Sequence, residues 1–332
     1  MTPDLPELLG SATPVALPMR VRFRGVDVRE TVLFRGPAGW GEFGPFPEYA
    51  DAEAARWLAA GVGSAWGNWP EPVRDAVEVN ATVPAVGPER VAAVLAGFDG
   101  CRTVKVKVAE RGQTVDDDVA RVAEVRAVMG AAVQIRVDAN AAWSVGQARE
   151  ALTRLSAFDL QYAEQPCAEV HELAELRVLL ARDGVDVPIA ADESVRRAED
   201  PLRVAREGAA DLVVAKVAPL GGVESALRIV HECGLPAVVS SALDTSVGIA
   251  AGVALAAALP ELDYACGLGT VGLLAADVAD RPLVPVGGLI TVADARAVVS
   301  AAEQPGLIGH ELTGERRDWW LQRLTRCHAL LT

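Results

Sequence analysis

Two hydrophobic rhythms alternate along the chain. From about residue 76, short β-branched runs with period two are each followed by a longer stretch in which Ala, Val and Leu recur at helical spacing. Eight such runs stand at 78–83, 102–108, 132–139, 159–165, 186–193, 211–218, 236–242 and 262–268. The segment TVDDDVARVAEVRAVMG (114–130) carries helix signals at both ends. Thr114 can cap, three aspartates favour the positive helix start, and Gly130 stops it. Strand–helix alternation predicts a parallel α/β sheet, and eight repeats predict a closed (β/α) barrel. An open doubly wound sheet is the alternative.

The ends break this rhythm. VRFRGVDVRETVLFRG (21–36) alternates like an antiparallel meander, and GWGEFGPFPEYADAEAARWLAAG (39–61) reads as a Gly/Pro/aromatic loop entering a helix. Near the other end PLVPVGGLITV (282–292) again reads as strand and turn. Residues 1–75 are therefore expected to form an α+β domain, 76–280 the barrel, and 281–332 a segment that rejoins the first domain.

Within the barrel, TVKVKVAE (103–110) places Val104, Val106 and Val108 on one face and Lys105 and Lys107 on the other. Alone, such a pair is ordinarily a solvated strand face. A barrel covers both faces, so here the lysines point inward. Reactive groups of such barrels sit at the C-terminal strand ends. Those ends carry Lys105 and Lys107, then Asp138 with Asn140, Glu164, Asp192 with Glu193, Lys216, and Ser240 with Ser241. The steps from Lys107 through Asp138, Glu164, Asp192 and Lys216 to Ser240 are 31, 26, 28, 24 and 24 residues, each about one strand–helix unit. A lone Asp after a strand is commonly a cap or turn residue. That reading gives no reason for six groups to share one rim.

Three converging carboxylates need a cation, and an all-oxygen set suits Mg²⁺, with Mn²⁺ a possible substitute. The four histidines, His171, His231, His310 and His328, avoid the strand ends, against a zinc site. Crowded, partly desolvated lysines are expected to have lowered pKa values and to serve as bases, here removing a proton α to a carboxylate. Ser240 and Ser241 lack a GxSxG elbow and a histidine partner, against a serine hydrolase.

Composition narrows the class. Hydrophobic residues make up 51% and aromatics 5%, so the core is expected to be Ala, Val and Leu. A net charge of −14 argues against nucleic-acid binding. Five cysteines without CxxC spacing fit a reduced, cytoplasmic setting and read as apolar fillers; Cys167 has no histidine partner nearby in sequence. MTPDLPELLG lacks signal-peptide character, and SVGIAAGVALAAAL (246–259) is too short for a membrane span, so no membrane insertion is expected. Phe43, Phe46 and Tyr49 read equally as a substrate lid or a self-packed loop, and Trp57, Trp66 and Trp69 as packing residues.

KVK (105–107), DAN (138–140), YAEQP around Glu164, ADES around Asp192 and the AK of 215–216 resemble the enolase superfamily, muconate-lactonizing subgroup. The resemblance spans nearly the whole chain and implies a (β/α)7β TIM-like barrel with an α+β capping domain. GWGEFGPFPEY (39–49), VNATVPAV (79–86) and SSALDTSVG (240–248) further resemble the actinobacterial-type o-succinylbenzoate synthase family of menaquinone biosynthesis. That likeness implies syn-dehydration of 2-succinyl-6-hydroxy-2,4-cyclohexadiene-1-carboxylate (SHCHC), a small-molecule carboxylate, through an enediolate. Lys107 would be the base and then the acid, Lys105 would stabilise the enediolate, and Lys216 would hold a cation–π-like position over the ring. Asp138, Glu164 and Asp192 would bind the metal, with Asn140 and Glu193 in support. Ser240 and backbone amides near Gly267 and Gly269 would hold the succinyl tail. Two rivals are N-succinylamino acid racemases or dipeptide epimerases of the same superfamily, using Lys216 as second acid/base, and a non-catalytic binding barrel.

Overall fold

The computed structural model describes residues 2–23, 25–195 and 200–331; Arg24, inside the expected meander, lies outside them, as do Met1 and Thr332 of the expected end segments. A helix at Leu5–Ser11 leads into strands β1 (Thr13–Phe23), β2 (Val26–Gly36) and β3 (Gly39–Phe43). They form an antiparallel sheet in the order β1-β2-β3, as the alternating pattern predicts. The helix Asp51–Trp66 packs behind it.

Strands β4 (Ala76–Glu78), β5 (Ala81–Val83), β6 (Thr103–Lys107), β7 (Gln134–Asp138), β8 (Leu160–Glu164), β9 (Ile189–Ala191), β10 (Leu212–Lys216), β11 (Ala237–Ser240) and β12 (Leu289–Thr291) follow. Seven of them, β5 to β11, lie parallel in strict sequence order. The eighth expected strand, 262–268, is reduced to single bridges: Cys266 pairs with Val79 and Gly267 with Ser240. Hydrogen bonds from Asn80 N to Cys266 O (2.9 Å) and from Gly267 N to Val239 O (2.8 Å) close the cylinder there. The sheet is thus a (β/α)7β barrel rather than an open one. The run 78–83 is split, because β4 instead pairs antiparallel with β12.

Local signals agree with this frame. Thr114 and Asp117 form a reciprocal capping box on the helix Val115–Met129, a device worth about 1 kcal/mol. The helix Ser246–Ala258 is apolar all round and buried on nearly every side, as the Ala-rich run predicts. No helix among the described residues is long and apolar enough to cross a membrane. The end segment returns to the first sheet: the helix Gly314–His328 brings Trp320 edge-on to Phe43 (6.0 Å) and Arg326 Nε to Asp51 Oδ2 (2.6 Å). Phe46 packs edge-to-face on Tyr49 and Trp57, and Tyr49 lies tilted against Trp57, so the loop packs on itself while Phe46 also lines an inner cavity.

Candidate active site

The lysines of β6 are buried. Val104 and Val106 are fully covered on the outer face, while Lys105 and Lys107 keep 6% and 7% exposure inside the barrel. Position around the cylinder explains their opposition to Lys216. Counting β5 as first and the closing segment as eighth, β6 and β10 stand four places apart, across the full diameter.

Each ammonium meets a carboxylate. Lys107 Nζ donates to Asp138 Oδ2 and to Asn140 Oδ1 (2.7 Å). Lys105 Nζ lies 3.0 Å from Glu164 Oε1 and 3.3 Å from Asp138 Oδ2. Lys216 Nζ donates to Asp192 Oδ2 at 2.5 Å. Asn140 also donates from Nδ2 to Glu193 Oε1 (3.2 Å), and its own N–H donates to Asp138 Oδ1 (3.0 Å). Asn140 thereby ties the Lys107 head to the next carboxylate along the rim. Its φ of 46° is one that Asn tolerates better than most residues.

The charges set one another. Burial pushes the Glu164 carboxyl up, Asp138 adds to the effect, and Lys105 only partly opposes them, leaving it at about 7. Asp138 goes the other way: burial works against ionisation, but Lys107 and Lys105 outweigh it and hold the carboxyl well below the usual range. Lys105 departs from expectation. Burial favours the neutral amine, yet Glu164 and Asp138 overcome it and keep the ammonium charged far up the scale. Opposite charges surround it, where the sequence reading supposed like ones.

Three carboxylates with oxygen donors only suit a hard divalent cation, and the raised Glu164 marks more negative charge than burial tolerates comfortably. The three expected ligands share one mouth and feel one another's charge. They do not form a chelate: among the described residues no three His, Cys, Asp or Glu side chains gather closely enough to hold an ion. Lys105 and Lys107 share Asp138, Lys105 also reaches Glu164, and Lys216 holds Asp192. The donor set fits the ion chemically.

Between Phe23, Phe46, Thr82, the three lysines and the 240–243 turn lies a cavity of only about 20 Å³, room for a single water. An outer cleft of about 820 Å³ adjoins it, and Phe23 and Lys107 line both. Phe23, beside the β1–β2 turn, sits 5.1 Å from the Lys107 ammonium. Phe23 and Lys107 therefore stand where the two spaces meet.

Some expectations need correction. Ser240 and Gly267 line the cavity, but the Gly267 N–H is committed to Val239 O and cannot hold a substrate tail. A Cβ on Gly267 would lie 2.4 Å from Ser240 Oγ, so glycine there serves close packing. Gly269 is not among the lining residues; its neighbours are Asn80 O and Phe98. Ser241 Oγ donates to Gly267 O (2.8 Å) and pairs with Thr270 Oγ1 (2.8 Å), a fastening of the barrel seam. The buried Cys167 thiol is pushed up to about 12, first by desolvation, which makes it inert.

Other residues were not legible in advance. Gln165 Oε1 accepts from Asp192 N (2.9 Å) and Ser194 N (3.2 Å), so it orients the Asp192 turn from the next strand. Arg136, two residues before Asp138, plugs the barrel beneath the site. It stacks 4.8 Å from Tyr162 and 5.8 Å from Tyr264 and donates to Ala265 O (2.7 Å). The period-two alternation that turned the lysines inward also applied to Arg136.

Comparison with known proteins places this site in a family. The family described as "Enolase C-terminal domain-like" matches residues 88–312, and "Enolase N-terminal domain-like" matches 15–65. The chain belongs to the enolase superfamily. Members of this superfamily use a divalent cation. Among curated members, an o-succinylbenzoate synthase of Thermobifida fusca is 61% identical over 83% of this chain and 86% of its own length. One from Mycolicibacterium smegmatis is 55% identical over 99% and 98%, and one from Mycobacterium leprae 53% over 100% and 95%. The superfamily fold recurs in the muconate lactonizing enzyme of Pseudomonas fluorescens, with a TM-score of 0.73 at 22% identity over 94% of this chain and 97% of that one. It recurs also in the L-Ala-D/L-Glu epimerase of Bacillus subtilis, with a TM-score of 0.73 at 25% identity over 91% and 98%.

Proposed function

We propose that this enzyme is a hydro-lyase, an o-succinylbenzoate synthase that converts SHCHC to o-succinylbenzoate and water in menaquinone biosynthesis. Near-full-length relatives at 53–61% identity support that reaction over the racemase and epimerase readings. The observation that carries the assignment of roles is Lys107: a buried amine at the junction of outer cleft and inner cavity, held by Asp138 and Asn140.

Asp138, Glu164 and Asp192 hold Mg²⁺, which Mn²⁺ can replace. When bound, the ion supplies the positive charge that makes a proton beside a carboxylate removable. Asp138 and Asn140 hold the Lys107 head at the barrel mouth, where the α-proton would be taken. Lys107, as the free amine, then accepts the α-proton. The same ammonium donates it to the departing ring hydroxyl on the same face, releasing water and leaving the amine as it began. Lys105 keeps its positive charge beside the substrate carboxylate, where negative charge gathers. Lys216, across the barrel, offers its ammonium to the face of the ring. Ser240 contacts the succinyl end. Residues 1–75 and 281–332 act as the cap, with Phe23 over the entrance, and the enzyme works in the cytoplasm.

The test is Mg²⁺-dependent turnover of SHCHC beside racemisation of an N-succinyl amino acid. Dehydration by the wild-type chain is expected; exchange and inversion without dehydration would replace this reading with the racemase.

A further inference from the structure

Two stretches, 39–49 and 240–248, meet at the seam between the antiparallel sheet and the barrel. Glu42, on β3 and 8% exposed, reaches across it. Its carboxylate accepts from Thr245 Oγ1 (2.7 Å), Thr245 N (3.1 Å) and Gly248 N (2.9 Å), the start of the helix Ser246–Ala258. Arg29, on β2 and 1% exposed, donates from Nε to Leu243 O (2.9 Å) and from Nη2 to Gly44 O. There is no slack at the joint. A Cβ on Gly248 would fall 2.7 Å from Glu42 Oε2, and one on Gly44 would fall 2.7 Å from Arg29 Nη2.

The barrel segment held this way forms the cavity wall. Ser240, Ser241, Ala242 and Leu243 line the inner cavity beside Lys216. Leu243 has a φ of 60°, a left-handed backbone that a leucine keeps only where its surroundings impose it. The imposed contact is the Arg29 bond to its carbonyl. The shape of this wall is therefore set by the capping sheet from outside the barrel.

We propose that Glu42, acting with Arg29, is a positioning residue that fixes the 240–245 turn and so shapes the pocket for the unreactive end of the substrate. The inference rests on the dehydration reading for its substrate. Its test is steady-state kinetics of Glu42→Gln and Thr245→Val on SHCHC at saturating Mg²⁺. KM is expected to rise about tenfold while kcat stays within about threefold, because binding is lost equally from ground and transition states. Thr245→Ser, which keeps the hydroxyl for Glu42, is expected to restore KM. An unchanged KM with only a lower melting temperature would reduce the seam to scaffolding and overturn the proposal, as would a fall in kcat at constant KM. If Glu42→Gln does not fold, the two Thr245 variants decide. A wild-type chain inactive on SHCHC would refute the dehydration reading separately. The same KM comparison would then be made on the N-succinyl amino acid that it racemises.

Discussion

Among the described residues, the barrel mouth sets Lys105, Lys107 and Lys216 against Asp138, Glu164 and Asp192, whereas at the seam beside it one guanidinium, Arg29, faces the carboxylates of Glu42 and Asp244. Among the described residues the cations paired at the mouth are lysines, and Lys105 is shared between Asp138 and Glu164. At the seam Arg29 bonds to backbone carbonyls, while Glu42 takes backbone and hydroxyl hydrogens. Lysine is a point charge on a flexible stem and exchanges partners readily, while the planar fork of arginine holds a fixed geometry. Both clusters are buried and ionic, yet the mouth is built from lysines that share carboxylates and the seam from an arginine fixed on backbone carbonyls. Burial of charge alone does not distinguish a reactive site from a structural joint; the choice of cation and the source of its partners do.

The comparison can be broken from either side. The largest effect is expected on chelating divalent cations. Turnover should vanish, while the melting temperature moves by less than about 5 °C, since the carboxylates are already paired with lysines and a loss of about 1 kcal/mol shifts a domain of this order by only a few degrees. Collapse of the fold in chelator, followed by calorimetry, would mean that the mouth depends on the ion for its structure. At the seam, Arg29→Met should behave in the reverse way. Removing the donor to the buried Leu243 and Gly44 carbonyls and the cation facing Glu42 and Asp244 should cost about 3 kcal/mol of stability, measured by urea unfolding. A loss of under about 0.5 kcal/mol, the range of an ordinary surface substitution, would show that the seam is not held by this ion.

The smallest effect concerns pH. Burial raises Glu42 to about 7, with Asp244 adding to the rise and Arg29 opposing it. The folded chain thus binds this proton more tightly than the unfolded chain, whose ordinary value is 4.5. Stability from this group is complete at low pH and is lost as pH rises toward about 7. Glu42→Gln removes that dependence. Its melting temperature relative to wild type should therefore be higher at about pH 8 than at about pH 5, by a few degrees. A difference that does not change with pH would place the Glu42 titration elsewhere.

How much of this was legible in the sequence differs between the two regions in the same way. The mouth was readable because the strand period of two and the strand–helix spacing are both visible in one dimension. Together they turn Lys105, Lys107, Asp138, Glu164, Asp192 and Lys216 toward one rim. The eighth strand was overestimated, since LDYACGL has strand-like residues but meets its neighbours only at Cys266 and Gly267. The seam was not readable. Glu42 and Thr245 are 203 residues apart, and no period relates a capping sheet to a barrel loop. Likewise the Gly267 amide looked available for substrate until the Val239 carbonyl was seen to accept it. The pairing of lysines with carboxylates, and with it the raised Lys105, depends on distances across the barrel that spacing along the chain does not carry.

At the centre stands Lys107, the proposed base, held by Asp138 and Asn140. The most direct measurement is SHCHC turnover by Lys107→Ala beside its Mg²⁺ binding isotherm. The expected result is a fall in kcat of at least about 10³-fold, the scale of a lost acid–base group, with Mg²⁺ affinity retained or improved. Turnover within about tenfold of wild type at full metal occupancy would contradict it, because losing the essential base must cost more than that.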